Sequence, residues 1–427
     1  MGFTSLAEWL AWQEQLHPST IELGLDRVKS VATRLPFFAN SQSVKTIIVG
    51  GTNGKGSCVA YLESILVAAG YRVGAYSSPH LIRYNERIRI SGVMVADEIL
   101  CDSFERTNHA RGETSLTYFE FGTLAALDIF YQQKVDIRIL EVGMGGRLDA
   151  VNIVEPDVAV VVNVSMDHEA WLGNTRELIG TEKAGIFRAN IPLIVGEAEP
   201  PASLLAAAST LGNDYPLLFG RDFFIRDQAD GWEFVGRQAS GQAQVTWPAL
   251  PKGKLPLPSA ACALQALLVL NLLDLAAVKA GLAGANLSGR CQQLDWQGRK
   301  VILDVAHNPA GAEYLAYWLR QHQQRDLRVI FSALSDKDYA STMLPVKPLA
   351  HCWYLASLPI ARAATLEKLG QSASSMGARW RGFDTIAAAL DGALRESQQG
   401  ETLLVFGSFY TVAEAIQTMA CGESGNK

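Results

Sequence analysis

Apolar and polar positions change rhythm along this chain, and the changes mark its elements. From residue 45 to about 200, short apolar runs alternate with longer runs of helical period. The runs read "KTIIVG", "SCVAYLESILVAAG", "YRVGAYSS", "TYFEFGTLAALDIFYQQ", "VDIRILEVG", "DVAVVVNVS", "TRELIGTEKAGIFR" and "IPLIVGE". Buried strands interleaved with helices predict a mainly parallel sheet with helices on both faces, an α/β fold. Residues 213–256 break that rhythm: "RDFFIRD", "GWEFVG" and "AQVTW" alternate with a period of two and predict a small antiparallel subdomain. "SAACALQALLVLNLLDLAAVKAGL" then predicts one long buried helix, with Asp274 and Lys279 arguing against a membrane span. After Gly289 the strand and helix rhythm restarts in "KVILDVAHNPAGAEYLAYWLRQ", "LRVIFSAL", "HCWYLASL" and "ETLLVFGSFYTVAEAIQTM", which predicts a second, Rossmann-like α/β domain. The small residues of "LAGANLS" suit a hinge, so the expected domains are 1–283 and 288–427.

Composition narrows the class. The chain has 427 residues, 48% apolar and 19% charged, a globular balance, and no long uncharged apolar stretch that would span a bilayer. "MGFTSLAEWLAWQEQ" lacks a basic region followed by an apolar run and reads as an amphipathic helix without a targeting signal. Six cysteines, with no close pair and no Cys-x-x-Cys, predict neither a zinc site nor a disulfide framework and fit a reducing cytoplasm. A net charge of −6 without a Lys/Arg run excludes the usual electrostatics of nucleic-acid binding, so the expected ligands are small molecules. The chain is expected to act as a monomer, away from membranes.

The sharpest local signal is "IIVGGTNGKGSCVAYLESILVAAG", residues 47–70. The common P-loop spelling wants Gly at position 49 and Ser or Thr at position 56, where this chain has Val49 and Gly56. Asn53-Gly54 alone would be an ordinary tight turn. Here it joins an apolar strand to a helix whose positions Val59, Leu62, Ile65, Leu66 and Ala69 share one face, with Gly70 as the expected C-cap. Gly50, Gly51, Gly54 and Gly56 allow backbone N–H groups to converge, and the helix N-terminus adds its unsatisfied donors. Thr52, Asn53, Gly54, Lys55, Gly56 and Ser57 therefore form the expected phosphate cradle, with Lys55 as the mobile charge. With the hydroxyl moved to Ser57, metal ligands are sought at neighbouring strand ends: Ser78, Glu141 and His168. Each alone reads equally as a cap, a packed residue or a solvated charge. Together beside a phosphate loop they predict a metal-triphosphate site.

At this point the motifs resemble a known family. "GTNGKGS", "YSSPHLIRYNERIRI", "LTYFEFGTLAAL", "LEVGMGGRLDAVNIV", "MDHEAWLG", "EKAGIFR", "DVAHNPAGAEYL" and "FGSFYTVAE", in this order, are similar to the bacterial dihydrofolate synthase and folylpolyglutamate synthase proteins of the Mur ligase superfamily. The resemblance runs from about residue 8 to 418. It implies that 1–283 is an ATP-binding central domain with a pterin site and that 288–427 is the C-terminal ligase domain. It implies that Thr52 to Lys55 grip ATP and that Ser78, Glu141 and His168 hold Mg²⁺. Lys183 matches a lysine the family carries as a carbamate, an anionic ligand for a second Mg²⁺; by spacing alone it reads as a surface lysine beside Glu182. Arg290 and Asp304 are implied to contact ATP, with His307 next to it; otherwise Arg290 is a linker charge and His307 a helix-start residue. Ser259 stands where relatives usually carry an adenine-contacting Asn. Pterin contacts are implied for Glu22, Leu23 and Gly24, for Thr117, Tyr118, Phe119 and Glu120, and for Leu148. "LPIARAAT" departs from the family pattern, so no glutamate contacts are assigned.

The implied reaction is amide formation between L-glutamate and 7,8-dihydropteroate or reduced folates, through an acyl phosphate made from ATP. Lys55, Lys183 and His307 are the expected catalytic side chains. Two other readings use the same loop: a Mur-type ligase acting on a UDP-sugar peptide, and a P-loop nucleotide switch, for which no Asn-Lys-x-Asp motif is present.

Overall fold

The structure is a computed structural model that describes residues 3–39, 44–213, 215–228, 230–238 and 243–424. The chain forms two compact units, Met1–Asn286 and Leu287–Lys427.

The first unit is built on an eight-stranded sheet in the order β4-β3-β2-β5-β1-β6-β7-β8. Its strands are β1 (Lys45–Gly50), β2 (Val73–Tyr76), β3 (Ile88–Ile90), β4 (Val93–Met94), β5 (Ile137–Glu141), β6 (Val158–Val161), β7 (Leu193–Val195) and β8 (Leu217–Leu218). Pairing is parallel from β2 to β8, and antiparallel only where β3 and β4 extend the edge. The helices are α1 (Leu6–Gln13), α2 (Asp26–Ala32), α3 (Pro36–Ala39), α4 (Lys55–Ala68), α5 (Asp97–Arg111), α6 (Tyr118–Gln132), α7 (Glu169–Leu172), α8 (Arg176–Ala184), α9 (Ala202–Thr210), α10 (Leu257–Val269) and α11 (Leu275–Gly284). A separate antiparallel sheet, β11-β10-β9, comprises β9 (Phe224–Gln228), β10 (Gly231–Arg237) and β11 (Gln244–Leu250).

Register sets where the chemistry can lie. Val49 of β1 is level with Glu141 of β5 and Val160 of β6, and Tyr76 of β2 is level with Leu140. The segments that leave these four strands therefore start at one edge, the carboxyl edge where open α/β sheets place their ligands.

Two sequence expectations change here. The single long helix is two, α10 and α11, because Asn271 turns left-handed (φ 54°) and the Asp274 side chain caps the new start at the Ala277 amide, 2.8 Å. Apolar side chains run through both pieces and hide the break, although α10 is buried along its length while α11 buries only Ala277, Val278, Gly281 and Leu282. Helix α4 was expected to bury one face, but Cys58, Ala60 and Tyr61 are buried as well as Val59, Leu62, Ile65 and Leu66. The added cover is α10 and α11: a Cβ on Gly281 would lie 2.5 Å from Ile65 Cα, and Ser64 Oγ donates to the Gly281 carbonyl at 2.8 Å. Ala69 is the C-cap, and Gly70 follows it at φ 87°, with Tyr71 N–H closing onto Leu66 O at 3.1 Å.

The second unit is a six-stranded sheet, β12-β13-β17-β14-β15-β16, parallel except for β12 against β13. It contains β12 (Gln292–Trp296), β13 (Arg299–Asp304), α12 (Pro309–Gln321), β14 (Leu327–Phe331), α13 (Tyr339–Met343), β15 (Ala350–Ala356), α14 (Leu366–Ser375), β16 (Trp380–Phe383), α15 (Ile386–Glu396), β17 (Thr402–Phe406) and α16 (Phe409–Ser424). Asp304 and Phe331 are both level with Phe406, so one carboxyl edge carries Asp304 and the turn into α16. Among the described residues no helix is long and apolar enough to cross a membrane.

Candidate functional site

The turn from β1 to α4 is held from below and from the side. Gly54 is left-handed (φ 82°), and a Cβ there would lie 2.9 Å from Ser259 Oγ. Ser259, buried on α10, donates to the Gly54 carbonyl at 3.3 Å. A Cβ on Gly51 would lie 3.1 Å from the Val162 amide nitrogen, so the turn presses directly on the segment leaving β6. Asn163 stitches the two together: its Oδ1 accepts from the amides of Thr52 (3.1 Å) and Asn53 (2.8 Å), while Thr52 and Ser165 exchange hydrogen bonds at 3.1 and 3.0 Å. Those two amides are thus committed to the protein, which leaves the first turn of α4 as the phosphate-facing donor set. Lys55 Nζ folds back to the carbonyls of Gly51 (3.0 Å) and Thr52 (3.2 Å), over the same turn. Ser57 Oγ, in the first turn of α4, is buried without a hydrogen-bond partner. An orphaned hydroxyl at a helix N-terminus is what a phosphate or a phosphate-bound metal would satisfy.

A narrow cleft opens above this turn. Thr52 and Lys55 line it with His168, Lys183, Asp167 and Gly143, so four of the sequence-selected residues share one wall. His168 caps α7 from a left-handed position (φ 51°) and is exposed; Asp167 turns its carboxylate onto the His168 amide at 2.8 Å. Glu141, buried at the end of β5, accepts the Ser78 amide at 3.4 Å, which brings these two candidates together. Among the described residues no group of three His, Cys, Asp or Glu could hold a metal alone. Mg²⁺, which keeps waters and phosphate oxygens in its octahedron, fits such a sparse donor set.

Lys183 is buried, contrary to its appearance as a surface lysine, because the chain after β5 packs over the end of α8. Arg147 N–H donates to the Glu182 carbonyl at 2.8 Å, and a Cβ on Gly146 would lie 3.0 Å from the Lys183 carbonyl. Burial, then the charge of Lys55, pushes the Lys183 amine down to about 7, against the pull of Asp167, Asp149 and Glu197. Asp149, whose carboxylate takes the amides of Met144 (2.8 Å) and Val151 (3.0 Å), shapes this segment, and burial raises its pKa to about 6.

The implied pterin segments also meet. Thr117 and Glu120 form the capping box of α6: the Thr117 amide donates to Glu120 Oε2 at 2.8 Å and the Glu120 amide to Thr117 Oγ1 at 3.2 Å. Arg27 joins Glu120 to Glu22. The Phe119 ring lies on Gly143, where a Cβ would be 2.6 Å from it, so the start of α6 borders the phosphate cleft. Tyr118 and Phe119 are half-buried, as is Leu148 beside Asp149. In the second unit, Asp304 accepts the amides of Cys291 and Ala306, each at 2.8 Å, while Arg290 lies over the Phe409 ring (5.0 Å) and His307 lies beside it (6.2 Å). Burial raises the Asp304 pKa and Arg290 opposes the rise.

Sequence reasoning missed Asn163, Arg27, Asp149 and Phe409. Asn163 follows a strand just as Ser78 does, so the strand-end rule could have found it. Arg27 has no local signal.

A glycine-lined turn whose lysine shares a cleft with a buried lysine, a carboxylate at the end of the neighbouring strand, and a second α/β unit together define an ATP-dependent ligase of the Mur class. Residues 49–200 match the Mur ligase middle domain and residues 289–409 the Mur ligase glutamate ligase domain. Within that class the chain belongs to the dihydrofolate synthase/folylpolyglutamate synthase family. It is 44% identical to the Escherichia coli (strain K12) dihydrofolate synthase/folylpolyglutamate synthase, over 99% of this chain and 97% of that one. The E. coli FolC structure in complex with DHPP and ADP superposes with a TM-score of 0.91 at 43% identity, covering 98% of this chain and 99% of that one. The Yersinia pestis bifunctional enzyme complexed with AMPPNP and Mn ion gives 0.90 at 42% identity, covering 98% of each chain.

Proposed function

We propose that this chain joins L-glutamate to 7,8-dihydropteroate, and also to reduced folates, using ATP. The observation that supports this most is the meeting of two sites at Gly143: the Phe119 ring lies on it, and it lines the cleft that holds Lys55 and Lys183. An acid seated at the start of α6 would present its carboxyl to a triphosphate on α4.

A carboxylate resists attack by an amine until one oxygen becomes a leaving group. Transfer of the γ-phosphoryl group to the substrate carboxylate supplies that leaving group, and the glutamate amine then displaces phosphate. Lys55 neutralises charge on the moving phosphoryl group, and the first-turn amides of α4 orient it. Mg²⁺, when bound, supplies further charge neutralisation, held by Ser78, Glu141 and His168, with Ser57 as an added candidate. Lys183 serves as its carbamate: a buried amine with a pKa near 7 is neutral often enough to take up CO₂. For the second unit we assign nucleotide binding to Arg290, Asp304 and His307, a cation, a carboxylate and an imidazole gathered at one strand edge. Ser259 supports the turn through Gly54, and its short side chain is taken up there.

Chromatography of the products from dihydropteroate and from tetrahydrofolate, each with ATP, Mg²⁺ and glutamate, tests the proposal. A glutamylated product from dihydropteroate is expected; product from neither acid contradicts it.

A further inference from the structure

Resting on the assignment of Glu22–Gly24 and Thr117–Glu120 to the pterin side of the site, we propose that Arg27 is a positioning residue that fixes the geometry of those two segments. Arg27 lies in the first turn of α2 and reaches in two directions. Toward the N-terminal loop, its Nη1 pairs with Glu22 Oε1 and its Nη2 donates to the Glu22 carbonyl at 3.4 Å. Toward α6, Nη2 donates to Glu120 Oε1 at 2.9 Å and Nε to Oε2 at 3.4 Å.

The contacts close into a ring. Glu22 Oε2 lies 2.7 Å from His17 Nε2, and His17 Nδ1 lies 2.9 Å from Ser115 Oγ. Glu120 Oε2 accepts the Thr117 amide at 2.8 Å. The path Ser115, His17, Glu22, Arg27, Glu120, Thr117 thus begins and ends in the stretch that opens α6, and it passes through Glu22 of the substrate loop.

All four carboxylate oxygens of Glu22 and Glu120 have protein partners. These acids therefore act as the frame of the site, and a substrate would meet the loop and aromatic faces they hold. The Glu120 side chain is only 4% exposed, so charge-assisted bonds to it are little screened. Arginine suits this place because its planar fork serves two carboxylates at once, whereas a lysine offers one point charge.

Steady-state kinetics of Arg27→Ala, Arg27→Lys, His17→Ala and Phe119→Ala, varying dihydropteroate and then ATP, test the assignment. Arg27→Ala is expected to raise KM for dihydropteroate about tenfold or more, the scale of one lost charged hydrogen bond. KM for ATP should stay near the native value, kcat should change little, and Arg27→Lys should fall between. His17→Ala breaks the ring without stranding a buried charge, so it reports even if Arg27→Ala does not fold; it should raise the same KM several-fold. Native KM for dihydropteroate in Arg27→Lys and His17→Ala, or equal rises in both KM values, overturns the proposal. If only Phe119→Ala raises KM for dihydropteroate, the ring has no role while the pterin site stands. If no variant moves it, the pterin site itself is misplaced.

Discussion

Asn163 holds Thr52 by two acceptors at once: its backbone carbonyl lies 3.0 Å and its side-chain oxygen 3.1 Å from the same amide. The side-chain oxygen also takes the Asn53 amide, so one residue tensions the whole phosphate turn. Asn163→Ala removes the side-chain acceptor that the Thr52 and Asn53 amides share, at a cost of about 1–3 kcal/mol. The expected outcome is a KM for ATP raised about tenfold or more with dihydropteroate affinity kept, measured by steady-state kinetics.

Gly54 offers a second test of the turn. A side chain at its left-handed conformation costs about 1–2 kcal/mol, and the Cβ would also crowd Ser259 Oγ at 2.9 Å. Gly54→Ala should lower both melting temperature and ATP affinity. Adding Ser259→Ala relieves the crowding but not the backbone strain, so the double variant should recover only part of the loss.

Glu141 carries the metal assignment. Glu141→Gln keeps the size and removes the charge, and turnover should fall about 10²-fold, matching the several kcal/mol a bound ion gives the transition state. Mn²⁺ binding followed by electron paramagnetic resonance should weaken in parallel. Native Mn²⁺ affinity would remove Glu141 from the ligand set.

Lys183 predicts a dependence on dissolved CO₂. Its pKa is lowered from 10.5 to about 7, so the neutral amine that reacts with CO₂ grows as pH rises through about 7 and is lost below it. Activity in CO₂-free buffer should fall, return with bicarbonate, and fall more readily at lower pH. Peptide-level mass spectrometry after trapping the carbamate should place the added CO₂ on Lys183. Activity indifferent to CO₂ would assign Lys183 a different role.

What the sequence could convey follows from the range of the interactions. Strand and helix alternation is local, so the two α/β units, the antiparallel addition and the turn into α4 were all readable from residue order. Capping chemistry was readable too, yet Asp274 was read as a charge interrupting one helix when it starts a second. The burial of α4 on all sides depends on α10 and α11, some 200 residues away, and no periodicity within α4 could report it. Lys183 shows the same limit: next to Glu182 it reads as a surface lysine, and only the packing of residues 146 and 147 over α8 buries it. Arg27 and Glu120 are likewise brought together by the tertiary fold alone.

The central claim is that ATP activates a substrate carboxylate through phosphoryl transfer, and oxygen labelling tests it most directly. Dihydropteroate carrying ¹⁸O in its carboxyl group, incubated with the enzyme, ATP, Mg²⁺ and glutamate, should yield inorganic phosphate bearing one labelled oxygen, read by mass spectrometry. Glutamylated product accompanied by unlabelled phosphate would contradict the account.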